Sequence, residues 1–561
     1  MPLLAKAAAL AVLLLTSNIL ASPSPVEARD ALPTVDLGYN IQRATLYNET
    51  GQYYNFSNIR YAQSPTGDLR FRAPKLPLKD RSQVFTGETN RICPQADPAW
   101  LATAELFIPR YYQGETSFTP ADFNTSAATS ALPAQDPATT EDCLFLDVHV
   151  PKGIYDQRDK KKSPVLVQIY GGGYTAGDKR SVGNPAGLLQ RSQNNNNTGL
   201  IYVSLNYRLG AFGWLAGPTF QSDGTANAGL YDQRMALEWV RDNIAKFGGD
   251  PGRITVFGES AGGGSVMHQI TAFGGAPAPF QQAIPQSPGF APMASTAQQE
   301  QVFNAYLALL NVTSIKQARK LPYQALQTAN IKQVGLQSAY GLFTYGPVVD
   351  GIFAPSLPGQ LLGRGQFAKN VKLMVGHNAN EGLLFTSPFV QNSTDFENQI
   401  LSVVPSIAAF PATVQYIANT LYPPVFDGSQ AEAYTNPIAR TAAAVAEATF
   451  VCNAFYLDKA FHNQTYSYLF AVPPAVHGED VAYTFFNGPN SAVTAPSVAL
   501  ALQEYITHFA EFGYPSEKGV PFFPLYGGNA SVQVLNVSSI RQARDDAANE
   551  RCNWWQKALY Y

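Results

Sequence analysis

Residues Thr255–Val266 read TVFGESAGGGSV: an apolar run, a serine set between small residues, then more glycine. Gly258-Glu259-Ser260-Ala261-Gly262 has the form G-x-S-x-G, and that form has a chemical reason. A serine that attacks a carbonyl must stand on a sharp strand-to-helix turn, where bulky side chains two residues to either side would clash. Two other readings compete on the motif alone. A phosphate-cradling loop needs Gly-Lys-Ser/Thr, and no lysine follows these glycines. A plain glycine joint fits the letters equally well, so the company the serine keeps must decide. Acyl transfer needs backbone N–H groups aimed at a developing oxyanion. Gly171-Gly172-Gly173-Tyr174, after the apolar run PVLVQIY, can supply them, although an idle glycine turn would look the same. It also needs a base, and the chain has six histidines: His149, His268, His377, His462, His477 and His508.

These groups must be held by something. SPVLVQIYGGG, GLIYVSLNYRLG and RITVFGESAGG are β-rich runs that lead into glycine-bearing loops. Between the last two, Met235, Leu237, Trp239, Val240 and Ile244 recur at helical spacing, and glycines end the pattern. Strand, helix, strand with continuous apolar strands predicts an α/β fold, a mostly parallel sheet flanked by helices on both faces. After about residue 300 the pattern is more helical, with no linker and no internal repeat, so residues 30–561 are expected to form a single domain. The runs RDKKKSP and NNNN read as polar loops.

Composition narrows the function classes. The chain has 561 residues, 45% hydrophobic and 14% charged, enough to bury a large core. A net charge of −3, no basic stripe and no zinc-type cysteine pairs argue against nucleic acid as a partner. Residues 1–21 read as a signal peptide, with Lys6 before a short apolar core and cleavage after Ala21 or Ala28. No later apolar segment is long enough for a membrane helix, so the expectation is a secreted protein without a stable membrane anchor. Secretion makes the nine Asn-x-Ser/Thr sequons at Asn48, Asn55, Asn124, Asn196, Asn311, Asn392, Asn463, Asn529 and Asn536 candidate N-glycan sites. It also makes the four cysteines candidates for disulfides, in any of three pairings. The Ala-, Pro-, Ser- and Thr-rich stretch between Cys93 and Cys143 reads as a covering loop.

The stretches NIRYAQSPTGDLRFRAP, EDCLFLDV, YGGGYTAG, NYRLGAFGWL, NAGLYDQRMALEWVRDNIAKFGGDP, FGESAGG, PVVDG and NEG occur in that order from about residue 36 onward. Together they resemble the type-B carboxylesterases, the cholinesterase-like branch of the α/β-hydrolase fold. The resemblance implies a Ser-Glu-His triad: Ser260, with Glu381 in the loop HNANEG as the acid, and a histidine later in the chain than both. His149, His268 and His377 come too early for that order. Of the rest, His477 follows the strand-like run TYSYLFAV in the loop PPAVHGED, where the family also has its histidine, although the family's usual loop lacks Pro473-Pro474.

The resemblance further implies oxyanion donors at the N–H groups of Gly172, Gly173 and Ala261, disulfides Cys93–Cys143 and Cys452–Cys552, and ion pairs Arg70–Glu141 and Arg208–Asp232. Ser287 resembles a buried serine behind the triad. The implied reaction is ester hydrolysis through an acyl-enzyme, with no metal or cofactor. Acetylcholinesterases crowd their acyl pocket with two phenylalanines; the matching positions here are Gly341 and Phe343, so one wall is missing and acyl groups larger than acetyl are expected. Tyr174 and Phe290 are expected to help line the gorge. Trp100 is the nearby candidate for an aromatic cation platform, but the loop does not match the choline-site pattern. A lipase with the 93–143 stretch as a lid, acting on lipid esters, is the nearest rival to an esterase for small esters. A non-catalytic adhesion protein is disfavoured because all three triad positions are filled.

Overall fold

Apolar runs in the first half of the chain become the centre of one eleven-stranded sheet in the computed structural model, which describes residues 32–123, 135–193, 199–429, 434–516 and 519–559. Its strands, in chain order, are β1 (Leu46–Asn48), β2 (Tyr53–Arg60), β3 (Phe145–Pro151), β4 (Ser163–Gln168), β5 (Ile201–Leu205), β6 (Gly249–Glu259), β7 (Gln282–Gln286), β8 (Lys372–Asn378), β9 (Tyr466–Phe470), β10 (Ser531–Leu535) and β11 (Ile540–Arg544). The spatial order is β11-β10-β9-β8-β7-β6-β4-β5-β3-β2-β1. Strands from β10 to β5 in that order run parallel, and the edges turn antiparallel at β11 and at β3, β2 and β1. The expected sheet is therefore present: mostly parallel, mixed at its edges.

Alternation along each strand explains why both faces are covered. Val165 and Val167 of β4, Ile201 and Val203 of β5 and Val256 of β6 enter one core. Leu166, Tyr202 and Phe257, the residues between or beside them, enter a second core on the opposite face. The helices that matter for the site are α1 (Trp100–Tyr112), α2 (Ala228–Asn243), α3 (Ala261–Thr271), α4 (Thr296–Leu309), α5 (Tyr323–Gln337), α6 (Pro437–Ala446) and α7 (Pro496–Phe512). α2 and α3 pack into the first core, whereas α7 lies on the second. A separate three-stranded sheet is formed by Thr34–Asp36 and Ile41–Arg43, which precede β1, and Val84–Phe85, which follows β2; it was not legible from composition.

The stretch between Cys93 and Cys143, read as a covering loop, contains the 13-residue helix α1. Trp100, Ala104 and Phe107 give that helix a buried face despite Pro109 within it. Cys93–Cys143 and Cys452–Cys552 are both bonded, with Cα–Cα separations of 5.0 and 5.1 Å. The candidate signal segment 1–21 and the sequons at Asn124 and Asn196 lie outside the described residues. No helix among the described residues is long and apolar enough to cross a membrane.

Candidate active site

β6, in the middle of the sheet, ends at Glu259, the chain turns through Ser260, and α3 starts at Ala261. Ser260 has φ +60°, a left-handed conformation that a serine adopts only under constraint. The flanking glycines answer to space. A Cβ on Gly258 would stand 2.4 Å from the Ile169 carbonyl oxygen, and one on Gly262 2.1 Å from the same atom. Any side chain at either position would push the turn off the adjacent strand end. The serine is also held from behind, its N–H donating to the Gln286 carbonyl at 3.1 Å.

Three loops at the same ends of β6, β8 and β9 bring Ser260, Glu381 and His477 together. Ser260 Oγ lies 2.7 Å from His477 Nε2, and His477 Nδ1 lies 2.5 Å from Glu381 Oε2. The other carboxylate oxygen of Glu381 accepts from Ser287 Oγ and from the Asn378 N–H, each at 2.6 Å. Burial works against the Glu381 charge, but His477 and these donors hold its pKa below the ordinary carboxylate range. Burial likewise opposes a charged His477. Glu259 and Glu381 outweigh it and push the imidazole up to about 9.

Two acids in this cluster escaped the sequence reading. Glu259 Oε1 is 3.3 Å from His477 Nε2 and has no hydrogen-bond donor. Burial, with Asp480 and Glu381 adding to it and His477 opposing, raises its carboxyl above the ordinary carboxylate range. Asp480 Oδ2 accepts from the Tyr468 hydroxyl at 2.9 Å, and burial together with Glu381 pushes it up to about 6. Glu259 fills the variable position x of the motif, and Asp480 lies in the first turn of the helix Glu479–Thr484. Neither spacing carries a signal that the fold would bury them beside one imidazole.

The serine opens onto a cavity of about 490 Å³. Gly173, Ala261, Tyr174, Phe290, Gly341 and Phe343 line it with Ser260, whereas Gly172 stands just beside it, in the same loop as Gly173. Among the described residues, the N–H groups of Gly172, Gly173 and Ala261 find no acceptor within the protein. They are free to receive a negative oxygen near Ser260. Phe343 lies against Gly173 so closely that a Cβ on the glycine would meet its ring at 2.2 Å. Gly341 has φ +81°, and the space its side chain would need is held by the Phe385 carbonyl, 2.2 Å from a Cβ there. Trp100 is not available as a cation platform: its indole N–H donates to the Leu342 carbonyl at 2.7 Å, and its ring packs on Tyr340, Phe343 and Phe385.

The remaining expected residues fall as follows. Arg70 forks onto Glu141, both bonds 2.6 Å, and Arg208 onto Asp232, both 2.7 Å. Asn311, Asn392 and Asn529 are exposed. Asn48 and Asn536 use their Nδ2 within the protein, on the Tyr53 hydroxyl and the Ala471 carbonyl. Asn55 sits inside β2 with a buried Oδ1, and Asn463 is half-buried. The grouping of Glu447 with Cys452 and Cys552 has metal-ligand atoms close together, but both sulfurs belong to the disulfide.

The profile of the carboxylesterase family matches residues 42–555. The chain belongs to the carboxylesterase family. It is a carboxylic ester hydrolase of the α/β-hydrolase fold. It is 40% identical over 547 residues to carboxylesterase patB of Penicillium expansum, a match covering 94% of this chain and 96% of that one. A secreted lipase of Arthroderma benhamiae is 32% identical over 68% of this chain and 73% of its own length. Among solved structures, Aspergillus niger EstA superposes with a TM-score of 0.77 at 23% identity, covering 94% of this chain and 98% of that chain.

Proposed function

We propose that the protein is a secreted serine esterase in which Ser260 is the nucleophile, His477 the general base and Glu381 the residue that orients and stabilises the imidazole. The observation that carries this reading is the unbroken series Ser260 Oγ, His477, Glu381 at 2.7 and 2.5 Å, beside three N–H groups with no acceptor. Ser260 gives its proton to His477 Nε2 as Oγ adds to the ester carbonyl. The oxyanion is received by Gly172, Gly173 and Ala261, each such donor contributing about 3–4 kcal/mol in the transition state. His477 returns the proton to the departing alcohol, and water then repeats the sequence on the acyl-enzyme.

A cavity of about 490 Å³ supports acyl groups larger than acetyl. An esterase acting on dissolved substrate is favoured over a lipase with the 93–143 stretch as its lid. Trp100 pins the start of α1 to the Leu342 carbonyl, and Phe107 is packed with Phe118 and Leu383, which gives this helix a fixed seat. Secretion is supported by the signal-like leader, the two disulfides and the secreted relatives, and the exposed Asn311, Asn392 and Asn529 are the proposed glycan sites.

The test is hydrolysis of a chain-length series of p-nitrophenyl esters, below and above substrate solubility, by the native protein and by Ser260→Ala. The expected result is smooth saturation, best on short to medium acyl chains longer than acetyl, with turnover at least about 10⁴-fold lower in the mutant. An active alanine mutant would sink the assignment. A jump in rate at the solubility limit would make it a lipase.

A further inference from the structure

Two kinds of wall line the cavity in front of Ser260. One is aromatic, the rings of Phe290, Phe343, Phe385 and Phe450, of which Phe385 and Phe450 lie 4.9 and 4.4 Å from the His477 ring. The other is polar, Gln298 and Gln301 of α4 and Gln337 of α5. Gln298 and Gln301 are one turn apart on the same face of α4. Gln298 is half-buried, Gln301 and Gln337 are exposed, and none of the three side-chain amides hydrogen-bonds within the protein among the described residues. Gln333, one turn before Gln337 on α5, behaves differently. It donates to the Val302 carbonyl at 2.9 Å and accepts from the Tyr345 hydroxyl, so it ties α5 to α4 and fixes the spacing of the rim. No aspartate, glutamate, lysine, arginine or histidine is among the residues that line the cavity.

We propose that this chamber selects uncharged esters whose acyl part carries a hydroxyl or carbonyl oxygen remote from the ester, recognised by the carboxamides of Gln298, Gln301 and Gln337. The proposal rests on the hydrolase assignment above, with the Gly341–Phe343 side taken as the acyl side. Three alternatives are disfavoured by the same lining. An ammonium or carboxylate on the acyl chain would lose water with no opposite charge to meet it. A plain hydrocarbon chain long enough to pass the aromatic walls would cover the amides without satisfying them. An acetyl group would leave most of the chamber unused. A neutral oxygen suits a carboxamide in either sense, because the amide both donates and accepts.

The experiment compares kcat/KM of the full chain on p-nitrophenyl esters of hexanoic, 6-hydroxyhexanoic, 6-oxoheptanoic and 6-aminohexanoic acids and on the mono-p-nitrophenyl ester of adipic acid. The same series is run on a variant carrying Gln298→Leu, Gln301→Leu and Gln337→Leu. The hydroxy and keto esters are expected about fivefold above hexanoate, and the amino and carboxy esters about tenfold below it. In the variant the ratio of hydroxy ester to hexanoate should fall to about one. Native protein that treats hydroxy ester and hexanoate alike, charged esters turned over as fast as neutral ones, or a variant that keeps the native ratio would each overturn the proposal. If Ser260→Ala hydrolysed the whole series as fast as the native chain, the hydrolase assignment itself would fall, a result distinct from loss of selectivity.

Discussion

Glu259 Oε1 stands 3.3 Å from His477 Nε2, the nitrogen that also holds Ser260 Oγ at 2.7 Å. The proposed base therefore faces a carboxyl group on each nitrogen, Glu381 at Nδ1 and Glu259 at Nε2. Burial disfavours the imidazolium, and the two acids reverse that effect and bring His477 to about 9. The sign follows directly. The protonated imidazole is favoured in the folded state, so its contribution to stability is complete below the free histidine range near 6.5 and is lost as pH rises through about 9. Catalysis needs the neutral form, so activity rises over the same window. Glu259→Gln removes one negative neighbour and should move the acidic limb of the kcat/KM profile toward acid by about 1–3 pH units. A limb that stays in place would show that Glu259 does not act on the base.

Ser287 Oγ donates one of two hydrogen bonds to the Glu381 oxygen that faces away from the imidazole. Ser287→Ala leaves the Asn378 N–H as the remaining donor. The expected cost is about 1.5–3 kcal/mol of stability at neutral pH, as for a hydrogen bond to a charged group. Glu381 is held below its usual range, so this stability is present above the free carboxylate range and disappears as pH falls through the folded-state titration. Urea unfolding of the two proteins at pH 7 and again at pH 3 checks both parts. An equal difference at the two pH values would reject the link to the Glu381 charge.

Gly341 marks a place where a reading by resemblance and the structure diverge in cause. A glycine stands where the resemblance leads one to look for an aromatic wall, and the backbone of Phe385 fills the place where a side chain would begin. Restoring an aromatic there will not rebuild a narrow acyl pocket. Gly341→Ala is expected to destabilise the fold by about 1–3 kcal/mol, from the left-handed φ of +81° and the contact with Phe385. Thermal unfolding measures it, and a melting point equal to the native value would contradict the argument.

Cys452 and Cys552 are 100 residues apart in sequence and tie the helix at Cys452–Ala460 to the one at Glu550–Gln556. On the chain-entropy account, replacing both with serine should cost about 4–5 kcal/mol. Denaturant titration of native and mutant proteins under oxidising conditions reads that difference directly, and a loss below about 1 kcal/mol would mean that native contacts, not loop closure, carry this corner.

The parts of the site that were legible are those where local sequence dictates geometry. The Thr255–Val266 stretch announces a strand, a turn and a helix, because Gly258 and Gly262 leave no room for anything else against Ile169. The parallel centre of the sheet was legible for a similar reason, since continuous apolar runs such as Pro164–Tyr170 must be covered on both sides. Glu381 and His477 carry no local signal of that kind and emerged through family resemblance. Glu259 and Asp480 were missed because burial beside a histidine is a property of three converging loops. Trp100 could be disfavoured as a cation platform only through its loop's mismatch with the family pattern. An aromatic ring near a pocket looks the same in sequence whether it faces the opening or, as here, is pinned by Leu342 and covered by Phe343 and Phe385.

Hydrolysis turns an uncharged molecule into an anion. At neutral pH the acid freed from the acyl-enzyme ionises while still inside a chamber lined by no cationic side chain, with the Glu259 and Glu381 carboxyls behind the serine. Apart from the N–H groups of Gly172, Gly173 and Ala261 and the His477 imidazole beside Ser260, the same lining offers the product carboxylate no partner of opposite charge. On the proposed mechanism the chamber favours departure of the newly charged acid, and free acids in the medium are expected to compete weakly for the serine. It would also make the enzyme a better catalyst of acyl transfer from esters to alcohols than of esterification from acids.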